Sequence, residues 1–250
     1  MKKRYIYIVL LLVILFVWEF AGRNNSTTKL LVSTPSLSFQ YLIDNFSSLI
    51  NASWITLMES LLGLILATFF SFLVMVIGLY FKKFLDTIMP IMIVSQIIPV
   101  ITLAPLIILI FGIGIEAKII ISALMCFFPI FINFNNGIRN IQNEIFDLLK
   151  VYNAKTTFKI INVYFPLSTP NIMTGLKISS VLAVIGAIVG EFNGADIGLG
   201  RNLFLSAKRL EPELMINSLV FSSIIGFLLF GSILLIEYKF GKWYKQTIIN

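Results

Sequence analysis

Three polar side chains stand out because they lie in or beside long apolar runs: Glu59, Gln96 and Glu191. A charge or amide in hydrocarbon is costly, so such a residue is a functional candidate by default. The chemistry on offer is hydrogen bonding and charge pairing with a passing solute. Each residue also has a plainer reading. Glu59 lies within two turns of the start of its run, where it could snorkel or pair. Glu191 precedes Phe192-Asn193-Gly194 and could sit at a mouth or face water. Gln96 stands beside Pro99, with Pro105 six positions on. Prolines at that spacing kink or break a helix and free carbonyls, which at membrane depth must face protein or a water-filled cavity. A packing kink without solute contact is the alternative. Covalent and metal chemistry has little to work with. There is no histidine and one cysteine, Cys126, set in an apolar run. Cys/His metal sites, an intrachain disulfide and His-based triads are thereby excluded, and Cys126 reads as a small buried hydrophobe.

A second constellation is structural. In the polar stretch 135–164, Ile145, Leu148, Leu149 and Tyr152 follow i, i+3, i+4, i+7 spacing, which marks one helical face. Asn153 follows, a residue that tolerates left-handed backbone at a helix end. Thr156 can cap a second short helix, with Phe158, Ile161 and Phe165 on its apolar side. Pro166 is expected to stop that helix, and Ser168 or Thr169 to cap the next, with Pro170 at its first position. An apolar face outside the bilayer needs burial, either on its own membrane domain and in headgroups or against a soluble partner.

The elements that must hold these residues are set by composition. Of 250 residues 58% are hydrophobic and 12% charged, against roughly 25% charged in soluble domains. The apolar residues come in blocks long enough to cross a bilayer. Six spans are expected, over about 5–21, 54–80, 87–111, 119–134, 170–192 and 214–238. A cleaved leader is the rival reading for the first, but its bulky end, Trp18-Glu19-Phe20, favours a retained span. A short amphipathic helix is expected over 37–50. With both termini inside, thirteen of the nineteen Lys and Arg residues fall on the cytoplasmic side, which supports that orientation and places 135–164 in the cytoplasm. The net charge of +7 then reads as topology and lipid contact, not nucleic-acid binding. Lys177 is expected at the headgroups. Gly186 and Gly190 form a small-x-x-x-small step suited to close helix packing, along a dimer axis in the extended reading.

Asp147-Leu148-Leu149, three residues, Asn153-Ala154, then Phe165-Pro166 and Pro170 resemble the coupling loop of bacterial ABC importer permeases, whose usual pattern is Glu-Ala-Ala, three residues, Gly, with Leu-Pro farther on. Asp147, the two leucines and Asn153 depart from it. The resemblance covers about 54–238. It implies an all-α type I ABC importer (MetI-like) permease fold with six transmembrane helices. The implied organisation is an N-terminal span and external segment (1–53), a permease domain (54–240) containing the coupling loop (135–165), and a cytoplasmic tail (241–250). Asp147, Leu148, Leu149, Asn153, Ala154 and Pro166 would couple to the ATPase, while Glu59, Gln96, Pro99 and Glu191 would serve the substrate path. The implied partners are cytoplasmic ABC ATPase subunits that use ATP, a second permease copy, an extracytoplasmic binding protein and membrane lipids, in a bacterial cytoplasmic membrane. The chain itself needs no cofactor and has no G-x-x-x-x-G-K-[ST] loop.

Within that family the segments Ser95-Gln96-x-x-Pro99, Leu103-Ala104-Pro105-Leu106, Phe111-Gly112-x-Gly114, Cys126-Phe127-Phe128-Pro129-Ile130 and Gly186-Ala187-Ile188-Val189-Gly190-Glu191 look most like the nitrate/sulfonate/taurine type. Closer still is the branch for thiamine pyrimidine precursors and, in some members, riboflavin. A lipid-modifying membrane enzyme is the rival of another class. It would want paired acids or histidines at one interface, and Asp86, Glu144, Asp147 and Glu237 form no such motif. A channel or ATP-independent carrier would not explain the spaced helix-turn-helix loop.

Overall fold

Thr34 starts the first complete helix: its hydroxyl accepts from the Leu37 amide, and Pro35 fills the first turn, where an N–H would go unused. This computed structural model describes residues 10, 13, 14, 16–20, 22 and 33–249. Most of the first apolar block lies outside the described residues. Residues 16–20 are helical, and the Trp18 indole donates to the Ser33 carbonyl at 2.9 Å.

Along the chain come α1 (Pro35–Asp44), α2 (Phe46–Tyr80), α3 (Lys82–Ser95), α4 (Val100–Phe111), α5 (Ile115–Arg139), α6 (Asn143–Val151), α7 (Thr156–Lys159), a π-helical segment (Ile160–Tyr164), α8 (Phe165–Gly194), α9 (Leu199–Arg209) and α10 (Pro212–Ile249). Among the described residues four stretches are long and apolar enough to cross a membrane: Phe46–Tyr80, Ile115–Arg139, Thr156–Gly194 and Pro212–Lys239. The third predicted block is two shorter helices, α3 and α4, separated at Gln96–Pro99.

Several expectations need correction. The helix expected over 37–50 ends at Asp44, and residues 46–50 already belong to α2. Asn45 leaves helical geometry (φ −116°, ψ 18°) while its side chain caps the Tyr41 carbonyl at 3.2 Å. Only Pro99 breaks the third block; Pro105 lies inside α4. Pro166 does not stop a helix, and neither Ser168 nor Thr169 caps a new one at Pro170, because the chain is helical from Thr156 to Gly194 and Pro170 lies inside it. The wide π turn just before Pro166 relieves the clash its ring would make with a carbonyl four residues back. Thr156 is the first residue of α7 rather than its cap. The Gly-rich loop 193–213 carries an unforeseen helix, α9.

α5 and α8 form the centre of the bundle. A Cβ at Gly186 would come within 2.6 Å of Ser122 Cα, and one at Gly175 within 2.9 Å of the Pro129 carbonyl, so these glycines let the two backbones approach. The step at Gly186 and Gly190 therefore serves packing inside this chain. Ser122 donates to the Ala183 carbonyl (2.9 Å), Cys126 to Ser179 (3.2 Å) and Ser179 back to Cys126 (2.9 Å). Each such bond is worth about 0.6 kcal/mol in a membrane. Close packing along the seam contributes more than these bonds do.

Candidate functional site: two ends of one bundle

The buried acids and the exposed apolar candidates separate to opposite ends of the bundle. At one end Tyr80, which closes α2, hydrogen-bonds Thr157 at 2.8 Å, so α6 and α7 sit under the ends of α2 and α5. α6 starts after Gln142 and closes where Ala154 N–H donates to the Leu149 carbonyl at 3.0 Å. Asn153 has φ 44°, the left-handed geometry its type led us to expect.

The four-residue face read from spacing divides in two. Leu149 is buried, and Ile145 and Phe146 pack beside a core that includes Phe134, Ile138 and Ile141. Leu148 and Tyr152 point away, 56% and 76% exposed, with Val151 and Phe158 also exposed. Leu148, Leu149, Tyr152, Ala154, Lys155 and Phe158 line one apolar hollow. Asp147 is exposed beside Asn143 and Phe146, outside that hollow, and pairs with Lys150 at 2.8 Å, with both side chains well solvated. That pair contributes at most about 1 kcal/mol. Pro166 occupies the first turn of α8, just after the π segment.

At the opposite end, Glu191 neither faces water nor lines an open mouth. It is fully buried. Its Oε2 accepts from the Gly200 amide at 2.6 Å and its Oε1 from the Thr56 hydroxyl at 2.6 Å. Thr56 Oγ1 in turn accepts from the Leu199 amide at 3.0 Å. Glu191 thus satisfies the Gly200 amide in the first turn of α9 directly, and Thr56 satisfies that of Leu199. The approach is tight: a Cβ at Gly198 (φ 149°) would run into the Glu191 carboxyl, and one at Gly200 into the Ile188 carbonyl. Glu59 is also buried, with Oε2 lacking a hydrogen-bond partner. Lys118, nearly as buried, interacts with both acids and donates through Nζ to the Ile113 carbonyl.

Gln96 and Pro99 lie elsewhere, exposed at the gap between α3 and α4. The structure thus joins Glu59 to Glu191 but neither of them to Gln96 or Pro99. Lys177 is not a free headgroup contact: it holds both carboxylate oxygens of Glu237 at 3.0 Å. Among the described residues no cluster of three or more Cys, Asp or Glu could hold a metal ion. Sequence reasoning missed Thr56, Lys118, Gly198 and Gly200. Gly198-Leu199-Gly200 beside a buried acid was the available signal, since glycines there admit a carboxylate against backbone amides.

Residues 60–240 match the family model described as binding-protein-dependent transport system inner membrane component. The chain is 31% identical over 221 residues to a protein of Haemophilus influenzae named Probable ABC transporter permease protein, covering 88% of this chain and 90% of that one. It is 28% identical to the formylaminopyrimidine transport permease protein of Halalkalibacterium halodurans, covering 94% of each. A riboflavin transport system permease protein of Chloroflexus aurantiacus is 33% identical over 154 residues, 62% of this chain and 58% of that one.

Proposed function

The chain belongs to the family of binding-protein-dependent transport system inner membrane components, and on that premise we propose that its α6 end is the seat of a cytoplasmic ATPase and its broken span lines the path of a pyrimidine-type vitamin precursor. As an ABC importer permease component it is a multi-pass inner-membrane protein that works with an ATPase and a binding protein. Under the proposal ATP is consumed by that partner, two permease copies form the path, six helices of each cross the membrane in a type I fold, and both termini lie in the cytoplasm.

The observation that carries the docking role is the uncovered apolar hollow around Leu148, Tyr152 and Phe158, opposite the packed side of α6. A hot-spot contact wants apolar and aromatic side chains around a pocket. Leu148 and Leu149 are larger than the usual alanines, so the ATPase surface they meet has a wider groove or holds the helix farther out. The positive φ at Asn153 turns the chain so that Ala154 joins the hollow's wall.

Gln96 and Pro99 line the path in this reading, because freed carbonyls and an amide at a helix break can bind a polar solute. Glu191 serves the path from behind by holding α9 in place, with the buried Glu59 beside it. Support for a pyrimidine precursor comes from likeness to the Halalkalibacterium halodurans permease, which spans nearly all of both chains. A sulfonate, taurine or nitrate is the second reading, within the same family type.

The test is to co-purify the chain with the ATPase and binding protein encoded beside it and measure substrate-stimulated ATP hydrolysis. Asn153→Pro and Ala154→Asp are expected to abolish assembly and stimulation. Unaltered assembly and stimulation in both would overturn the docking role. Stimulation by a sulfonate, with none by an aminopyrimidine, would overturn the cargo assignment while leaving docking intact.

A further inference from the structure

A cavity of about 420 Å³ opens at the α6 end, between the last turn of α2, the first turns of α3, the last turns of α5, and α6 with the π segment. Its polar lining comes from Asp86, Asn135 and Arg139, and its aromatic wall from Phe146 and Tyr164, whose ring centroids are 5.7 Å apart. Asn135 is only 3% exposed, and its Nδ2 has no hydrogen-bond partner in the protein. A buried amide donor is costly to leave unmet. Asp86 and Arg139 carry opposite charges into the same space, yet the ion pairs among the described residues include neither.

The lining is therefore complementary to a group with two charges. An anionic oxygen can accept from Asn135 Nδ2 and the Arg139 guanidinium, and an ammonium can donate to Asp86. An ammonium also suits the aromatic wall. The volume falls in the range of small-ligand sites. The depth fits as well, because Tyr80, the last residue of apolar α2, lies next to the cavity-lining Gly78 and Leu79. That is where a span meets the headgroup layer. We propose that this cavity binds a zwitterion bearing an ammonium and a phosphate on a short linker, the chemistry of a phosphoethanolamine group. The group could belong to phosphatidylethanolamine in the surrounding leaflet or to a soluble molecule. Because α3 and α6 both line the cavity, the occupant ties the entry of the broken span to the docking helix.

The test uses the full chain in phosphatidylcholine nanodiscs, doped with phosphatidylethanolamine in one arm and given soluble glycerophosphoethanolamine in another. Retained ligand is counted by native mass spectrometry. Phosphatidylcholine has the same charges but no ammonium N–H, so preference over it reports the Asp86 contact. Expected is retention of an ethanolamine species, lowered about tenfold by D86N and by R139Q and unchanged by E144Q on the solvated side of α6. Protection by the soluble compound alone names a free zwitterion as the source; protection by the lipid alone names the leaflet. Asn135→Leu removes the buried donor and is expected to lower retention likewise; should it fail to fold, the two rim variants still decide. The proposal falls if neither compound is preferred over phosphatidylcholine, if D86N leaves the preference intact, or if phosphatidylglycerol is held equally well through Arg139 alone.

Discussion

The two ends of the bundle treat their difficult groups in opposite ways. At the α9 end a buried acid is fully used: Glu191 accepts from Thr56 and Gly200, and Thr56 accepts from Leu199. At the α6 end apolar side chains stay uncovered, with Tyr152 76% and Leu148 56% exposed. A closed network stabilises its own fold and has little to offer a partner. An open apolar face contributes nothing to its own fold and much to a partner. The same chemistry therefore divides the molecule into a region whose variants should change stability and one whose variants should change assembly.

The largest expected effect lies in the closed region. Glu191→Leu leaves the Gly200 amide unmet, the Thr56 hydroxyl with only the Ala52 carbonyl at 3.1 Å and Lys118 less neutralised, and is expected to destabilise the chain by about 3 kcal/mol. Thermal unfolding in detergent measures it; a wild-type melting temperature would break the contrast between the ends. Next, Gly186→Leu forces apart the α5–α8 seam and should cost about 2–3 kcal/mol by the same assay. In the open region, Tyr152→Asp is expected to lower ATPase affinity by about 2 kcal/mol, roughly thirtyfold, with no change in melting temperature. Loss of melting temperature without loss of affinity would reverse the assignment. Glu237→Gln removes the half-buried partner of Lys177 and should cost about 1 kcal/mol, intermediate between the ends.

The smallest effect is a pH dependence near the closed end. Burial, then Glu211 and Glu213, raise the Tyr41 phenol above its ordinary 10.0, with Arg209 opposing. The folded chain thus holds that proton more tightly than the unfolded chain does. Its contribution is fully present below pH 10 and is lost as pH rises through the higher folded value. Tyr41→Phe is expected to flatten this alkaline decline in a melting series, leaving neutral-pH stability within about 0.5 kcal/mol.

Legibility in the sequence followed the range of the interactions involved. Asn153 could be placed because left-handed backbone is a local property of its type, and the α6 face because helical spacing is local too. The division of that face, Leu149 buried and Leu148 outward, was hidden because it depends on how α6 is seated, with Ile145 and Phe146 against Phe134 and Ile138. Pro166 misled for a local reason: a proline ends an α-helix unless the preceding turn widens, and nothing in Ile160-Ile161-Asn162-Val163-Tyr164 announces a π turn. For Glu191 the nearby Gly198-Leu199-Gly200 was a signal, but its bond to Thr56 was out of reach, the two being 135 positions apart. Within the Gly-rich stretch, α9 was masked by Gly198 and Gly200, whose small size serves the carboxylate and not a turn.

The unbroken helical run from Thr156 to Gly194 has a consequence in leverage. Its 39 residues make a rod about 58 Å long, reaching from beside the exposed apolar hollow to the carboxylate that holds α9. A tilt of only about 5° at one end displaces the other by about 5 Å, roughly one helical turn. The π segment near its foot is the one place where the rod changes pitch, so a push there arrives at the far end as both swing and twist.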